Sequence, residues 1–262
     1  MGSLFFCNQI MGNPTFFLMK QQGYWRTPIV MILSMVFFAG CTDNASTPGS
    51  ADKGINRPAN GAAMQHAKAL PAIDSAKALL MDGDLLTRSD DDFESRTLQN
   101  FSKRDQSFSH SGIVFKEDSG WMVYHSMTGV ENPGGNCRKD PYDSFVNPSM
   151  KTGFGLFRYA LTDIERKAFH QVLQRNHAAA IPFDISFDLS TNDSMYCSEM
   201  IYKALKEATE NRVILPVSVL NNYRPKILGY TPKKAFYKKL EYIGIDDLYL
   251  NPFCKEILRV NY

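Results

Sequence analysis

Two strand-forming segments, Ser111-Gly-Ile-Val-Phe115 and Trp121-Met-Val-Tyr-His125, flank the polar, glycine-ended link Lys116-Glu-Asp-Ser-Gly120. So short a link between them predicts a β-hairpin, which commits the chain to an antiparallel sheet. Opposed positions in such a pair have a constant index sum. With 115 and 121 bracketing the turn, His110 falls opposite position 126, one residue from His125. Opposed side chains share a face and lie ~5 Å apart at Cβ, so two histidines are predicted to be neighbours on one side of the sheet, facing the helix that carries Cys197.

The rest of the chain supplies helices and further strands. A helical stretch from Ala67 to Met81, interrupted at Pro71, leads through the turn Asp82-Gly83-Asp84 into a short strand at Leu85-Leu86-Thr87. Gly153 to Ala160 reads as another strand, and Thr162 caps a helix to about Arg175. Phe183 to Asp188 alternates like a strand or an extended approach, and Asp193 or Ser194 caps a helix that starts near Cys197. Thr231-Pro232 opens one more helix, with proline at its first position. The loop from Gly129 to Thr152 is long enough to shape or cover a cleft. A hairpin-based sheet with flanking helices is α+β.

At 262 residues and 44% apolar content, the chain can bury one domain of ordinary size. A formal net charge of +2 offers no basic excess for a polyanion, so no nucleic-acid partner is expected. Lys20 and Arg26 precede the apolar run from Ile29 to Ala39, which ends in Gly40-Cys41 and reads as a secretory signal. The run falls short of the ~20 apolar residues that cross a bilayer as a helix. Phe38-Ala39-Gly40-Cys41 resembles a bacterial lipobox, which makes Cys41 the lipid-modified first residue of the mature chain. Its acyl chains would hold the protein to a membrane at ~0.8 kcal/mol per buried methylene. Thr42, where an aspartate would favour the inner membrane, points to the outer membrane and a periplasm-facing protein. Met19-Lys20 is the more ordinary beginning for such a signal. The expected layout is a signal peptide at 1–40, a small, polar tether at 41–62 and a globular domain at 63–262.

Cys197, Ile201, Ala204 and Ala208 fall on one helical face, widened by Met200 and Leu205, so the thiol points inward. The first helical turn favours negative charge and would stabilise a thiolate, but a small buried hydrophobe fits the same position. The histidine pair shifts the balance. A thiol, an imidazole to take its proton and a third polar group to hold that imidazole are the parts of nucleophilic catalysis. Cys197, His110 and His125 are also a donor set for zinc, yet none of them shows the close i, i+4 or C-x-x-C spacing that preorganises such sites. The reading is therefore nucleophile and base, with no metal or cofactor.

Asp82-Gly-Asp84-Leu-Leu, Phe108-Ser-His110-Ser-Gly-Ile-Val, Val123-Tyr-His125-Ser-Met-Thr-Gly129 and Tyr196-Cys197-Ser-Glu199 occur in this order along the chain. Together they resemble the permuted papain-like cysteine hydrolases, in particular the YaeF/YiiX group related to the NlpC-type cell-wall peptidases. The resemblance covers roughly residues 80 to 210. It implies a circularly permuted papain-like fold, an antiparallel sheet packed on the cysteine helix, with Cys197 as nucleophile, His110 as general base and His125 as the third polar residue. Several members of that group carry a carboxylate where this chain has His125, which leaves an imidazolium with less support. The implied function is an envelope cysteine hydrolase cleaving an amide, with a murein peptide as first substrate. A lipid acyl hydrolase or acyltransferase on the same site, and a non-catalytic envelope lipoprotein, are the alternatives.

Other polar residues have plainer readings. Glu199 suits the helix dipole, Asp84 a turn, and His66, His170 and His177 solvated or partly packed positions. Lys233, Lys234, Lys238 and Lys239 give the penultimate helix a solvated basic face. An oxidising periplasm would allow Cys137 and Cys254 to pair if their Cα atoms came within ~7 Å.

Overall fold

The computed structural model describes residues 59–90, 93–129, 132–149, 151–223 and 237–262. The signal, the lipobox with Cys41, most of the tether, the Thr231-Pro232 helix, Lys233 and Lys234 lie outside them. In chain order the elements are α1 (Ala59–Ala78), β1 (Asp84–Asp90), α2 (Phe93–Gln99), β2 (His110–Glu117), β3 (Gly120–Met127), β4 (Asn136–Pro141) and α3 (Tyr142–Phe145). They continue with β5 (Lys151–Tyr159), α4 (Asp163–Ala178), α5 (Cys197–Ala208), β6 (Ser218–Tyr223), β7 (Tyr237–Tyr242), α6 (Ile245–Tyr249) and β8 (Cys254–Asn261).

Six strands form an antiparallel sheet in the order β4-β3-β2-β1-β5-β8, and β6 pairs with β7 separately. Both faces of the large sheet are covered, so its central strands are apolar on both sides. Leu85, Ile113, Phe115, Tyr124 and Phe157 join one core with residues of α4, α5 and α6. Leu86, Val114, Val123, Phe154 and Leu156 join the other with Ile73 of α1 and Tyr142 and Phe145 of α3. The predicted stripe of α5 is buried throughout, and its fully enclosed Ile201 and Leu205 contribute ~1.5–3 kcal/mol each to the packing. Among the described residues no helix is long and apolar enough to cross a membrane. The α+β class and the sheet packed on the cysteine helix are observed.

Several expectations are corrected. The hairpin pairs Glu117 with Gly120 and Lys116 with Trp121, so the index sum is 237 rather than 236. A two-residue link closed by Gly120 at φ +118° lets the strands run further toward the turn. Pro71 lies inside α1 without breaking it, and Ser75 Oγ donates to its carbonyl. Asn136–Pro141, expected as loop, is the edge strand β4. Around Phe183 to Asp188 the chain is irregular, with one isolated bridge from Pro182 to Asn136 and Phe187 at φ +54°. Lys238 and Lys239 sit on strand β7, not a helix. Cys137 and Cys254 are both free. They belong to β4 and β8, the opposite edges of the six-stranded sheet, five strand spacings of ~4.8 Å apart.

Candidate active site

Helix α5 begins two or three residues later than the expected caps, Asp193 or Ser194, allow. Tyr196 is its extended N-cap residue, and Glu199 accepts the Tyr196 N–H at 3.2 Å, the backward half of a capping box. Cys197 is thus the first helical residue. The tip is tied down on both sides, since Ser126 Oγ donates to Met195 O and Ser198 Oγ to Ile243 O, each at 2.7 Å. The first of these bonds joins β3 to the approach to α5 at the residue next to His125.

The Cys197 thiol is buried, and burial pushes its pKa up. Hydrogen bonding from the side chain and backbone of Ser111, and from the backbone N–H groups of Ser198 and Cys197, works in the other direction. Sulfur therefore meets β2 at the residue that follows His110. Among the described residues the expected thiol–imidazole hydrogen bond is not formed.

The two histidines are brought together. His110 Nε2 lies 2.9 Å from His125 Nδ1, with the rings nearly perpendicular at 79° and their centroids 5.0 Å apart. The register makes them diagonal rather than directly opposed neighbours. Gly112 lies across from His125, where an added Cβ would come within 3.2 Å of the histidine Cβ. The shared face is the one covered by Phe145, whose ring centroid is 5.7 Å from that of His110 and 5.3 Å from that of His125. This corrects the expectation that the pair faces the cysteine helix, because α5 packs on the other face, where Ser111, Ile113 and Phe115 point.

A fourth residue completes the arrangement. His125 Nε2 lies 3.0 Å from Asp140 Oδ2, while Arg138 holds Asp140 Oδ1 through Nη2 at 2.5 Å and Nε at 3.0 Å. Burial opposes ionisation of Asp140, but the His125 and Arg138 bonds outweigh it and hold the carboxyl at about 2. Burial drives His125 toward the neutral form against the pull of Asp140. Burial also takes His110 well below its usual value, helped by the nearby charge of Arg88.

A proton inventory then fixes both tautomers. Asp140 accepts only, so His125 donates from Nε2 and accepts at Nδ1. His110 must therefore donate from Nε2, which leaves its Nδ1 lone pair free as a base. The carboxylate that His125 seemed to displace is supplied by β4. Sequence reasoning missed Asp140 because β4 is a charged, half-exposed edge strand without apolar alternation, recognisable only by its pairing with β3.

The plainer readings hold with more burial than expected. Asp84 is fully enclosed, accepts the Met81 N–H at 2.8 Å and grips Arg158 through both oxygens at 2.7 and 2.8 Å. His170 stacks on Phe115 at 4.1 Å, and His177 meets Tyr124 edge-on. Glu199 is shut off from solvent with Lys203 2.7 Å away, and burial outweighs that partner to push the carboxyl up to about 7.

Fold and site together define an α+β protein with a thiol at a helix N-terminus on one face of a sheet and a chain of imidazoles and carboxylate on the other. The chain is similar in fold to the crystal structure of the metalloprotein yiiX from Escherichia coli O157:H7, with a TM-score of 0.53 and 15% sequence identity over 70% of this chain and 98% of that one. No protein-family model and no curated protein sequence matches it.

Proposed function

We propose that this protein is a cysteine hydrolase of the cell envelope, in which Cys197 attacks an amide or ester carbonyl and His110 takes the thiol proton. The observation that carries the reading is the chain His110–His125–Asp140, with links of 2.9 and 3.0 Å, which leaves a lone pair on His110 Nδ1 at the first residue of β2, across the sheet from the face on which Cys197 rests. An imidazole oriented in this way by a carboxylate contributes on the order of 10²- to 10⁴-fold as a general base.

The reaction requires the His110 ring, at the first residue of β2, to turn to the α5 face; the sulfur then gives its proton to Nδ1 as the carbon–sulfur bond forms and the carbonyl π electrons move onto oxygen. Backbone N–H groups at the tip of α5 donate to that oxyanion. Collapse expels the amine or alcohol, which takes the proton from His110, and water hydrolyses the thioester with the same imidazole as base. Asp140 supplies the electrostatic support that an imidazolium between two neutral groups would lack.

The related fold is described as a metalloprotein, so metal binding needs a test against the residues present. Both nitrogens of His125 are engaged, which leaves His110 Nδ1 and the Cys197 sulfur as free donors. Among the described residues no group of three or more histidine, cysteine, aspartate or glutamate side chains is arranged to hold an ion. The donor set does not fit a metal.

The resemblance of Phe38-Ala39-Gly40-Cys41 to a lipobox supports a membrane anchor through acylated Cys41, on the periplasmic side of the outer membrane. A murein peptide amide is the first substrate, and a lipid acyl ester is the second. Mass spectrometry of the protein exposed to muropeptides and to fatty acyl esters separates them, since the mass added at Cys197 is peptidic in one case and fatty in the other. His110→Ala should accumulate neither adduct. A non-catalytic envelope module is favoured by one observation, the enclosure of the sulfur with its bonds going to Ser111. That reading stands if the wild-type protein gains no mass from either substrate class.

A further inference from the structure

A groove of about 1490 Å³ is lined by Tyr202, Lys203 and Lys206 of α5 and by β7 from Tyr237 to Glu241, with Leu189 and Met195 adding apolar surface. Strand β7 pairs with β6 along one edge only. Its other edge turns toward the groove, because the Leu189 N–H donates to the Glu241 carbonyl at 3.4 Å, which therefore points away from β6. Backbone direction repeats every second residue along a strand, so the N–H and C=O of Lys239 point the same way. Among the described residues neither Lys239 nor Tyr237 has a backbone partner outside the β6–β7 ladder. An open edge of this kind accepts one more strand.

Charge selects which strand. Arg175 is held by Glu207 at 2.9 and 2.7 Å, Lys239 by Glu241 at 2.5 Å and Lys203 by Glu199 at 2.7 Å. Asp188 receives the N–H and the hydroxyl of Ser190. Lys206 on α5 and Lys238 on β7 remain, both exposed and without an ion-pair partner among the described residues. A second copy of β7 would set lysine against lysine, whereas acidic side chains would meet both ammonium groups.

We infer that this groove binds an extended, acidic segment of a partner protein, which adds to the free edge of β7 as a strand and sets carboxylates against Lys206 and Lys238. Main-chain bonds to the edge require a polypeptide, and the two lysines supply the preference for acid. Binding of this kind is independent of the chemistry at Cys197.

Fluorescence anisotropy of a fluorescein-labelled octapeptide of alternating glutamate and valine tests this, titrated with wild-type and with Cys197→Ala protein, the latter removing any contribution from cleavage. Binding should saturate and weaken as salt is raised. Lys206→Glu and Lys238→Glu should each weaken it about tenfold, because an attraction becomes a repulsion. Lys255→Glu, the same charge change on β8 outside the groove, should alter it by less than about twofold. Methylation of the peptide's backbone nitrogens should abolish binding, since it removes the donors that an added strand needs. Absent binding, binding unchanged in both groove variants, or equal binding of the N-methylated peptide overturns the assignment. Equal binding of a single-stranded DNA octamer also overturns it, reducing the groove to a basic surface. Near-ultraviolet circular dichroism checks that each variant is folded. The acyl mass at Cys197 is read separately, so failure of one reading leaves the other standing.

Discussion

His125 Nε2 sits 3.0 Å from Asp140 Oδ2, and this single contact sets the protonation of two imidazoles. Asp140→Asn can present an N–H in place of an acceptor, which would turn the proton order of the chain around and place a proton on His110 Nδ1. Hydrolysis in this variant should fall on the order of 10²- to 10⁴-fold, the range over which a lost general base is felt. Nitrogen-15 chemical shifts of the two rings check the cause directly, since wild type should show a bare Nδ1 on His110 and the variant should not.

Gly112 tests the link between backbone packing and the imidazole pair. A Cβ at this position would lie 2.5 Å from Val123 Cγ1, 3.1 Å from the Tyr124 carbonyl oxygen and 3.2 Å from His125 Cβ. Gly112→Ala should cost about 1–3 kcal/mol in urea unfolding, the range for overpacking a filled core. It should also separate the rings, seen as loss of the His110–His125 hydrogen bond by nuclear magnetic resonance.

Glu199 gives a pH dependence with a definite sign. Folding raises its carboxyl from 4.5 to about 7, mainly through burial. The stability linked to its proton is present in full below the unfolded value and lost as pH rises through the folded one, amounting to roughly 3 kcal/mol. Wild-type protein should therefore lose stability between pH 5 and pH 8.5. Glu199→Gln, neutral at both, should lose much less, whereas equal slopes in chemical denaturation would assign the titration to another group.

Much of this site was legible because periodicity is a strong signal. The alternation around Gly112 and Val123 announced the hairpin, and the spacing of Cys197, Ile201 and Ala204 announced the helix that buries the thiol. What failed was finer geometry. The register moved by one residue because the link tightened around Asp118 and Ser119, so that histidines expected one position off direct opposition form a diagonal pair two positions off it. Which face they share depended on that register and on Phe145, a residue of a four-residue helix that no pattern marked. Asp140 stayed hidden because a charged edge strand looks like a loop until its neighbour is known.

The two remaining thiols among the described residues, Cys137 and Cys254, should behave independently. Burial pushes Cys137 up to about 11 and Cys254 to about 12, and they sit on opposite edges of the sheet. Oxidised, folded protein digested without reductant should yield no peptide linking them. Recovery of that linked peptide would contradict the strand order.

The measurement closest to the central claim is the pre-steady-state burst with a p-nitrophenyl ester. Wild-type protein should release one equivalent of p-nitrophenol per chain while Cys197 gains the acyl mass, and the burst should vanish in Cys197→Ala and slow on the order of 10²- to 10⁴-fold in His110→Ala. A burst that survives in Cys197→Ala, or wild-type protein that shows none, would contradict the account.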